Sequence, residues 1–328
     1  MSEKLTTYAR SIETCLRGKQ VGILYAETSD AKGIVRTTRE DIASTLGDIG
    51  IATLNIEFLP DEIDELSVLI KAIKEVDVVC KVVHGRINRL GFLQGLMDLL
   101  EKPFTGHVLK TDLMSQDKLF GKGIMMEQGI NTPRWIRVTP HNTNLVDTFV
   151  EETSARQFVI KPVGTNSSKG ILFAESPEEL MALLMNLPAQ YGEYFVEEFI
   201  PGRVVTMGVI PCGDSLYATP PLEYVLGEGS TLMDEAWKTN PTRVSAENLN
   251  EGALQQMNRW SKLLHQGISA KGITRSDFIV DRDDNVFALE INSNVGLSRT
   301  HDVPMAAAIA GVQYSDLVLA HLGTADFH

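Results

Sequence analysis

The sequence has 328 residues, enough for two or three compact domains with a large buried core. Its hydrophobic fraction of 43% and its charged fraction of 22% are ordinary for a folded protein and argue against a disordered chain. Its formal net charge of −13 argues against nucleic acid as a partner, because a phosphate backbone is bound by a basic surface.

The sequence carries no signal for a membrane or for export. It has no run of about 18 apolar residues, and its first residues lack the apolar core of a signal peptide. Cys15, Cys80 and Cys212 are too widely spaced for a metal cluster or a disulfide framework, which fits a reducing compartment. We therefore expect a soluble, cytoplasmic protein.

The first third of the chain alternates strand and helix patterns. Apolar, partly β-branched runs predict strands at residues 21–25, 53–56 and 76–83, and periodic apolar residues predict helices between and after them. This alternation predicts a parallel sheet wrapped by helices. No GxGxxG follows the first strand, so a dinucleotide-binding interpretation lacks its main feature. His84 follows the third strand, where open α/β sheets place ligands, although a lone histidine there is more often structural.

Beyond about residue 112 the pattern changes to strands with fewer helices between them. Helices are predicted at about residues 115–129, 177–187, 249–266, 304–310 and 314–322. Strands are predicted at residues 134–138, 157–161, 171–174, 194–200, 204–210 and 215–225, the last three in one antiparallel sheet. Residues 227–246 have no clear period and read as a long loop, a type that is often functional.

Two late strands carry polar groups where a sheet face would otherwise be apolar. Asp277 lies in the first strand, and Glu290 and Asn292 lie in the second. Because side chains alternate along a strand, these three can meet on one face if the strands pair. Carboxylate and amide oxygens suit Mg²⁺ bound together with substrate phosphates. Turn capping or a solvated face is an equally good explanation of these residues alone.

Two segments in the middle of the chain fit a nucleotide. Lys161 ends an apolar strand, an unfavourable place for a charge unless an anion lies opposite. The Gly/Ser-rich residues 164–170 after it offer backbone N–H groups that can cradle phosphate, although such a loop is most often only a turn. Residues 197–200 are either a solvated strand edge or a hinge whose backbone binds an adenine edge.

Several short motifs follow one another in a fixed order from about residue 20 to the C-terminus. They are His84-Gly85, Gln94-Gly95, Pro103-Phe-Thr-Gly106, Asp117-Lys118, Ile160-Lys161-Pro162, Ser167-Ser168-x-Gly170, Glu197-Glu198-Phe199-Ile200-x-Gly202, Arg275-x-Asp277, Glu290-Ile-Asn292 and Ala310-Gly311-Val312. This order resembles the D-alanine–D-alanine ligase family of ATP-grasp enzymes.

The resemblance implies an α/β ATP-grasp fold with three parts. Residues 1–112 would form an N-terminal Rossmann-like domain, residues 113–192 a central ATP-grasp lid subdomain, and residues 193–328 a C-terminal catalytic subdomain. The family also implies a homodimer formed through the N-terminal domain.

The resemblance assigns a nucleotide-binding role to one group of residues. Lys118 and Lys161 would contact the ATP phosphates, beneath a flexible loop with Ser167, Ser168 and Gly170. Lys238, in the long loop, would be the lid lysine near the γ-phosphate. The adenine would be held by Glu197, Glu198, Phe199 and Ile200.

The resemblance also implies the metal site and the reaction. Asp277, Glu290 and Asn292 would bind two Mg²⁺ ions, with Mn²⁺ as an alternative. A substrate carboxylate would attack the γ-phosphate of ATP to give an acyl phosphate, and an amine would then displace phosphate to form an amide. Arg275 and the Gly296 backbone would stabilise the oxyanion of the second step, with Ser167 and Lys238 counted among the catalytic residues.

The sequence departs from the family pattern mainly at substrate contacts. Neutral Ala31 replaces a glutamate that binds the first substrate's ammonium group, Arg89 replaces an acid of the pair after the His-Gly motif, and Val204 replaces a ribose-binding glutamate. His301 and Asp302 replace a Ser-Leu pair that receives the second substrate's carboxylate, which Asp302 would repel. The expected substrate-binding residues are His84, Arg89, Gly296, His301 and Asp302.

These departures favour an amino-acid ligase with a substrate other than D-alanine, used in specialised metabolism, with Asp302 suited to a cationic or hydroxylated acceptor. The alternatives are a genuine D-alanine–D-alanine ligase of cell-wall synthesis, a phosphotransferase on the same fold, and an intramolecular ligase that closes a ring. A nucleotide-binding regulatory module is less consistent with a complete set of metal ligands.

Overall fold

The computed structural model describes residues 2–27, 32–59, 66–84, 88, 91–139, 143–165, 169–225 and 242–326. Within these residues the chain forms three β-sheets with helices packed on their faces. No helix of the described ranges is both long and apolar enough to cross a membrane.

The N-terminal sheet is parallel, as its β/α alternation predicts. Its strand order is β2-β1-β3, with every pair parallel. The strands are β1 (Gln20–Tyr25), β2 (Ala52–Glu57) and β3 (Val78–Val82). The helices are α1 (Ser2–Leu16), α2 (Lys32–Asp48), α3 (Leu66–Glu75) and α4 (Phe92–Leu99). His84 follows the carboxyl end of β3, on the side of the sheet where ligands bind in open α/β folds.

Two helices, not one, connect this sheet to the next. They are α5 (Leu109–Gln116) and α6 (Lys118–Glu127), separated at Asp117. The Asp117 carboxylate caps α6 by accepting hydrogen bonds from the backbone N–H groups of Leu119 and Phe120. The predicted helix that carries Lys118 is present as α6, with its start at Lys118 instead of near Ser115, and the separate helix α5 before it was not predicted. Lys118 becomes the first residue of α6.

The central sheet is antiparallel, with the strand order β4-β7-β5-β6. Its strands are β4 (Trp135–Val138), β5 (Phe158–Pro162), β6 (Leu172–Ala174) and β7 (Tyr194–Glu198), and its helices are α7 (Thr143–Thr153) and α8 (Pro177–Leu184). The strand predicted at residues 194–200 thus pairs with β4 and β5, and its predicted pairing with the two following strands is wrong. The predicted domain boundary before residue 193 precedes β7, and the three-part division stays a prediction.

The C-terminal sheet has six strands. Five follow the order β11-β10-β8-β12-β13, and β9 pairs with the far end of β8. They are β8 (Arg203–Cys212), β9 (Ser215–Ala218), β10 (Leu222–Tyr224), β11 (Arg243–Ser245), β12 (Thr274–Val280) and β13 (Val286–Asn292). The predicted strand at residues 215–225 is two strands, because Pro220 and Pro221 have no N–H group for a ladder. Most of the predicted long loop lies outside the described residues, and its end forms β11.

Three more helices complete the fold: α9 (Glu251–Gly267), α10 (Asp302–Ile309) and α11 (Tyr314–Leu322). Helix α11 returns to the N-terminal sheet, where Val318, Leu319 and Leu322 share a hydrophobic core with residues of α1, β1 and β3. The Tyr8 hydroxyl donates a hydrogen bond to the Gly323 carbonyl at 3.1 Å. This return brings the end of β13 beside the carboxyl edge of the N-terminal sheet.

A buried charge cluster joins α6 to the central sheet. The Glu197 carboxylate of β7 contacts the ammonium groups of both Lys122 of α6 and Lys161 of β5. Lys122 is 0% exposed and Glu197 is 1% exposed. Burial alone would raise the pKa of Glu197, but the two lysines outweigh it and lower the pKa, so the carboxylate is charged.

Replacing Lys122 by methionine should cost about 3–5 kcal/mol of unfolding free energy, because Glu197 would remain buried with one cation fewer. Urea denaturation measures the loss, and the double variant Lys122→Met/Glu197→Gln should recover much of it. Lys271→Met is the matched control, since its ion pair with Asp326 is exposed and worth less than about 1 kcal/mol. Equal losses of unfolding free energy in Lys122→Met and Lys271→Met would contradict the proposed contribution of the buried cluster to stability.

His265 of α9 should make stability depend on pH. Its ring lies 3% exposed, with Nδ1 at 2.9 Å from the Thr274 hydroxyl, and burial lowers its pKa to about 4. An unfolded histidine takes up its proton near pH 6.5. Between these values the unfolded chain binds the proton and the folded chain does not, so stability falls as pH drops below 6.5.

At pH 5 this residue should have removed about 2 kcal/mol of the stability present at pH 7. Urea denaturation at both pH values measures the drop in unfolding free energy between pH 7 and pH 5. This drop should be smaller in His265→Gln than in the wild type by that amount. The control Thr274→Val removes the hydrogen bond but not the titrating ring, so it should keep the wild-type pH dependence. A pH dependence unchanged in His265→Gln would refute this assignment.

Candidate functional site

The pairing of β12 with β13 places the predicted metal ligands together. The two strands are antiparallel, with Arg275 opposite Asn292 and Asp277 opposite Glu290, and the register shifts between Asp277 and Phe278. The Asn292 amide donates to Glu290 Oε1 at 3.0 Å and to Asp277 Oδ2 at 3.2 Å. The expectation that these three side chains meet on one face is met.

Asp277 is surrounded by hydrogen-bond donors. Its Oδ1 accepts from the Thr206 hydroxyl at 2.7 Å and from Arg275 Nε at 2.9 Å, and its Oδ2 accepts from Arg275 Nη2 at 2.8 Å and from Asn292. These four hydrogen bonds come from three neighbouring side chains. They fix the side chain's position on the strand.

The two acids respond differently to their surroundings. Burial and the nearby Glu290 raise the pKa of Asp277, although Arg275 opposes them. Burial would also raise the pKa of Glu290, but Lys118, the Asn292 amide and Arg275 outweigh it, so the net shift is downward. Two close carboxylates that share one amide donor between them are a favourable place for a cation.

The donor set fits magnesium better than a softer metal. It offers two carboxylates and an amide with its own carbonyl oxygen, all hard oxygen ligands. Among the described residues no group of three or more His, Cys, Asp or Glu side chains could hold a metal ion. Mg²⁺ is suited to such a sparse site, because it takes its remaining ligands from water and from substrate phosphates.

The two lysines expected at the ATP phosphates lie beside these acids. The Lys118 ammonium group contacts the Thr165 carbonyl, in the loop after β5, and Lys118 and Lys161 both help to lower the pKa of Glu290. Lysines from the central part and acids from β12 and β13 therefore share one electrostatic environment. Ser167 and Ser168 of the same loop lie outside the described residues, as does Lys238.

Gly170, which was predicted to act with that loop, has a specific backbone reason to be glycine. Its φ is +76°, a region that other residues seldom adopt, and a Cβ here would lie 2.7 Å from the Tyr191 ring. The glycine lets the chain pass close to Tyr191 just before β6.

Residues 197–200, predicted to hold adenine, comprise the last two residues of β7 and the two that follow it. The N–H groups of Glu198 and Phe199 donate to the carbonyls of Arg134 and Gln157 at 3.0 and 2.9 Å. Glu198 Oε1 accepts from the Arg134 N–H at 2.9 Å. The Glu198 side chain and the N–H groups of Glu198 and Phe199 are therefore already hydrogen-bonded within the protein. An adenine base bound here would have to form its hydrogen bonds with other backbone groups of the segment. The solvated-edge explanation does not fit Glu197, which is buried between two lysines.

Asp302, expected to contact substrate, is itself clamped by three groups. Its Oδ2 accepts from Arg275 Nη1 at 2.9 Å and from the Tyr224 hydroxyl at 3.0 Å, and its Oδ1 accepts from Arg243 Nη1 at 2.9 Å. The residue is 8% exposed. Of the five N–H donors of its guanidinium group, Arg275 thereby uses one for Asp302 and two for Asp277.

The remaining candidate substrate residues lie around Gly296. The His301 ring packs so closely on Gly296 that a Cβ there would clash with it, and its Nδ1 is hydrogen-bonded to the Ser298 hydroxyl. Burial, together with His301 and Lys81, lowers the pKa of His84 to about 4, so its ring is neutral at neutral pH. His84, Gly296 and His301 therefore form one neighbourhood, whereas Arg89 lies outside the described residues.

Sequence reasoning missed four residues of this site. Lys122 stands four residues after Lys118, on the same helix face, and that spacing could have drawn attention to it. Thr206, Tyr224 and Arg243 come from three strands of the C-terminal sheet. No local pattern marks them, because only the tertiary fold brings them to Asp277 and Asp302.

Comparison with known proteins identifies the family. The family model for the D-Ala–D-Ala ligase C-terminus matches residues 124–322, more than half of the chain. The D-alanine–D-alanine ligase of Aquifex aeolicus is 30% identical over 310 residues, which cover 91% of this chain and 98% of that protein. The corresponding ligase of Coprothermobacter proteolyticus is 27% identical over 90% and 96% of the two chains.

Solved structures support the fold. The Bacillus anthracis D-alanine–D-alanine ligase complexed with ATP aligns with a TM-score of 0.74 at 20% identity, over 94% of this chain and 96% of that one. The VanG D-Ala:D-Ser ligase of Enterococcus faecalis aligns with a TM-score of 0.72 at 19% identity, over 93% and 98%. The predicted α/β ATP-grasp fold is confirmed. The chain belongs to the D-alanine–D-alanine ligase family of ATP-grasp enzymes and is an ATP-dependent, ADP-forming ligase.

Proposed function

We propose that this enzyme joins an amino-acid carboxylate to an amine through an acyl phosphate, and that its acceptor amine is not D-alanine. The observation that carries the second part is the clamp on Asp302. A carboxylate of the protein is already bound by two arginines at the position where the resemblance places the acceptor's carboxylate.

The nucleotide half of the site supports the first step. Lys118 and Lys161 would neutralise the ATP phosphates, together with Ser167, Ser168 and Lys238 of the undescribed loops. Two Mg²⁺ ions held by Asp277, Glu290 and Asn292, with Mn²⁺ as an alternative, would supply further charge neutralisation. Phosphoryl transfer depends mostly on such positioning and neutralisation. A substrate carboxylate oxygen attacks the γ-phosphorus, and ADP leaves.

The second step needs donors at the developing oxyanion. The amine attacks the acyl carbon and loses a proton, and inorganic phosphate leaves. Arg275 has two N–H groups beyond the three that bind Asp277 and Asp302, and the Gly296 backbone lies in the same neighbourhood as His301. One such donor is worth roughly 2.7–4 kcal/mol in comparable sites.

The clamp changes the expected part played by Asp302. Both of its oxygens are engaged by Arg275, Tyr224 and Arg243, so it has little capacity to bind a cationic acceptor directly. An acceptor α-carboxylate approaching Arg275 would instead meet a competing carboxylate and be repelled. This favours an amine that presents no carboxylate to Arg275, as would fit a ligase of specialised metabolism.

A genuine D-alanine–D-alanine ligase is the second candidate. It is favoured by the names of the curated relatives, which match over nearly their whole length. In that case D-alanine has to displace Asp302 from Arg275 or bind elsewhere. A phosphotransferase that stops at the phosphorylated product, or a ligase that closes a ring within one molecule, would use the same nucleotide site.

We also propose a cytoplasmic enzyme that assembles as a homodimer through residues 1–112. Val68 of α3 and Leu99 of α4 are 62% and 80% exposed. Large apolar side chains on the outer helices of this sheet support an interface there.

An acceptor matrix tests the proposal. The enzyme is given ATP, Mg²⁺ and an amino-acid donor, with acceptors that either carry or lack an α-carboxylate, and both ADP release and the amide product are measured. We expect amines without the carboxylate to be preferred. Asp302→Asn should raise the rate with D-alanine as acceptor by about tenfold, because it frees Arg275 and Arg243 from an anion.

Asp316→Asn, at a carboxylate that bonds Thr6 far from Asp302, should not change acceptor choice. Rapid D-alanyl-D-alanine formation by the wild type would refute the proposal and establish the second candidate. If a phosphorylated product but no amide forms with every acceptor tested, the result would favour the phosphotransferase.

Glu290→Gln should reduce ADP release by more than about 100-fold, because it removes a carboxylate from the proposed metal site. The wild-type and variant rates should also differ in their dependence on Mg²⁺ concentration. Glu193→Gln is the control, since that acid pairs with Arg137 at the surface. Normal ADP release by Glu290→Gln would remove Glu290 from the metal site.

A further inference from the structure

A small polar cavity lies between the N-terminal sheet and the end of β13. It is lined by residues of α2, β3, α11 and the segment after β13, among them Thr38, Lys81, His84, Asn294 and His321. Its volume is about 30 Å³, which is room for about two water-sized groups. It sits at the carboxyl edge of the parallel sheet, where open α/β folds bind ligands.

Two side chains that line this cavity have polar atoms without a partner. Thr38 is 1% exposed and its hydroxyl makes no hydrogen bond, and His321 is 6% exposed with neither ring nitrogen bonded. A buried polar group left unsatisfied costs about 1–3 kcal/mol. Three unpaired atoms on one cavity therefore favour an occupant that can both donate and accept hydrogen bonds.

The charges in the cavity wall are already balanced. The Lys81 ammonium donates to Asp112 Oδ2 at 3.3 Å and to the Asn88 amide oxygen at 3.0 Å. Asp112 also accepts from Gln94 at 2.6 Å and from Ser293 at 2.7 Å. An ionised ligand would find no uncompensated charge in these groups, and burying it would be costly.

Of the three histidines in the wall, His107 and His321 differ in what they can still bind. His107 Nε2 lies 3.1 Å from the Ile273 carbonyl and its Nδ1 accepts from the Gly272 N–H at 3.3 Å, so both ring nitrogens are used. Burial, with His107 and Lys81, lowers the pKa of His321 to about 3, so that ring is neutral, with one donor and one acceptor. Among the described wall residues, Thr38 and His321 are therefore the ones with buried polar atoms still unpaired.

The cavity adjoins the neighbourhood proposed for the substrates. His84 and Asn294 belong to its wall. His84 is close enough to His301 for that ring to depress its pKa, and His301 packs on Gly296. A substrate whose carboxylate lies near Gly296 can therefore direct a side chain past His84 into the cavity.

We propose that the donor amino acid carries a short, uncharged polar side chain, a hydroxyl or a carboxamide, and that Thr38 and His321 bind it in this cavity. This inference rests on the proposed function, since it names the donor of that ligase. It concerns the donor, whereas the clamp on Asp302 concerns the acceptor.

Isosteric donors test the inference. Threonine is compared with valine, asparagine with leucine and serine with 2-aminobutyrate, in both enantiomers, with ATP, Mg²⁺ and hydroxylamine as the amine. Hydroxylamine attacks the acyl carbon and releases phosphate, so the hydroxamate reports activation of the donor whatever the natural acceptor is. We expect the best polar donor to exceed its apolar isostere by about tenfold or more in kcat/KM.

Variants assign the preference to the cavity. Thr38→Val and His321→Leu should each bring the polar-to-apolar ratio towards one, whereas Thr38→Ser, which keeps the hydroxyl, should retain it. The control is Thr7→Val in α1, where the exposed hydroxyl donates to the Glu3 carbonyl at 2.8 Å and the residue is not part of the cavity wall. It should keep the wild-type ratio.

The inference fails if apolar donors are used as well as polar ones, or if the ratio is unchanged in Thr38→Val and His321→Leu. Absence of hydroxamate with every donor would overturn the ligase proposal instead. In that case, calorimetric titration of the same amino acids into the ADP-loaded enzyme tests whether the cavity binds a polar side chain. Equal affinities for threonine and valine would overturn the inference. A crystal structure with donor bound and only water in the cavity also overturns it.

Discussion

The register between β12 and β13 is the constraint on which the active site depends. Because it sets Asp277 opposite Glu290 and Arg275 opposite Asn292, it places two acids, an amide and a guanidinium on one face of the sheet. A slip of one residue would turn each of these side chains to the other face. At the shift after Asp277, β13 carries one extra residue, Leu289, so that Ala288 and Ile291 both pack in the core under α9 although they lie three positions apart.

Buried carboxylates with cationic partners recur through the molecule. Glu197 lies between two lysines, Asp302 between two arginines, and Asp112 beside Lys81. Each joins parts of the chain that are far apart in sequence. Replacing a buried pair by apolar residues is often neutral for stability, so such pairs are better explained by the geometry they hold than by the stability they add. Here each holds a group beside the proposed nucleotide or substrate sites.

The sequence predicted the parts of the fold that depend on local pattern. The parallel sheet and the positions of most strands and helices follow from apolar periodicity, and the meeting of Asp277, Glu290 and Asn292 follows from strand alternation. The break at Asp117 and the division at Pro220 also had local signals, a capping aspartate and a residue without an N–H group. Both were outweighed by the surrounding periodicity.

What the sequence did not predict depends on contacts between distant segments. The partner of a strand such as β7 is chosen by the tertiary fold, since its own residues suit either sheet. The unpaired atoms of Thr38 and His321 are equally invisible in the sequence, because an absent hydrogen bond is a property of the assembled wall. The Asp302 clamp shows the same effect, since the sequence marks Asp302 as a substrate contact and only the fold brings Tyr224, Arg243 and Arg275 to it.

The packing of α11 against α1 and the N-terminal sheet also affects the order in which the molecule can be completed on the ribosome. Val318, Leu319 and Leu322 cover apolar residues that emerge some 300 positions earlier. Until α11 leaves the exit tunnel, that face of the parallel sheet stays open to water and to other nascent chains. Temporary protection by a chaperone would matter most during this interval.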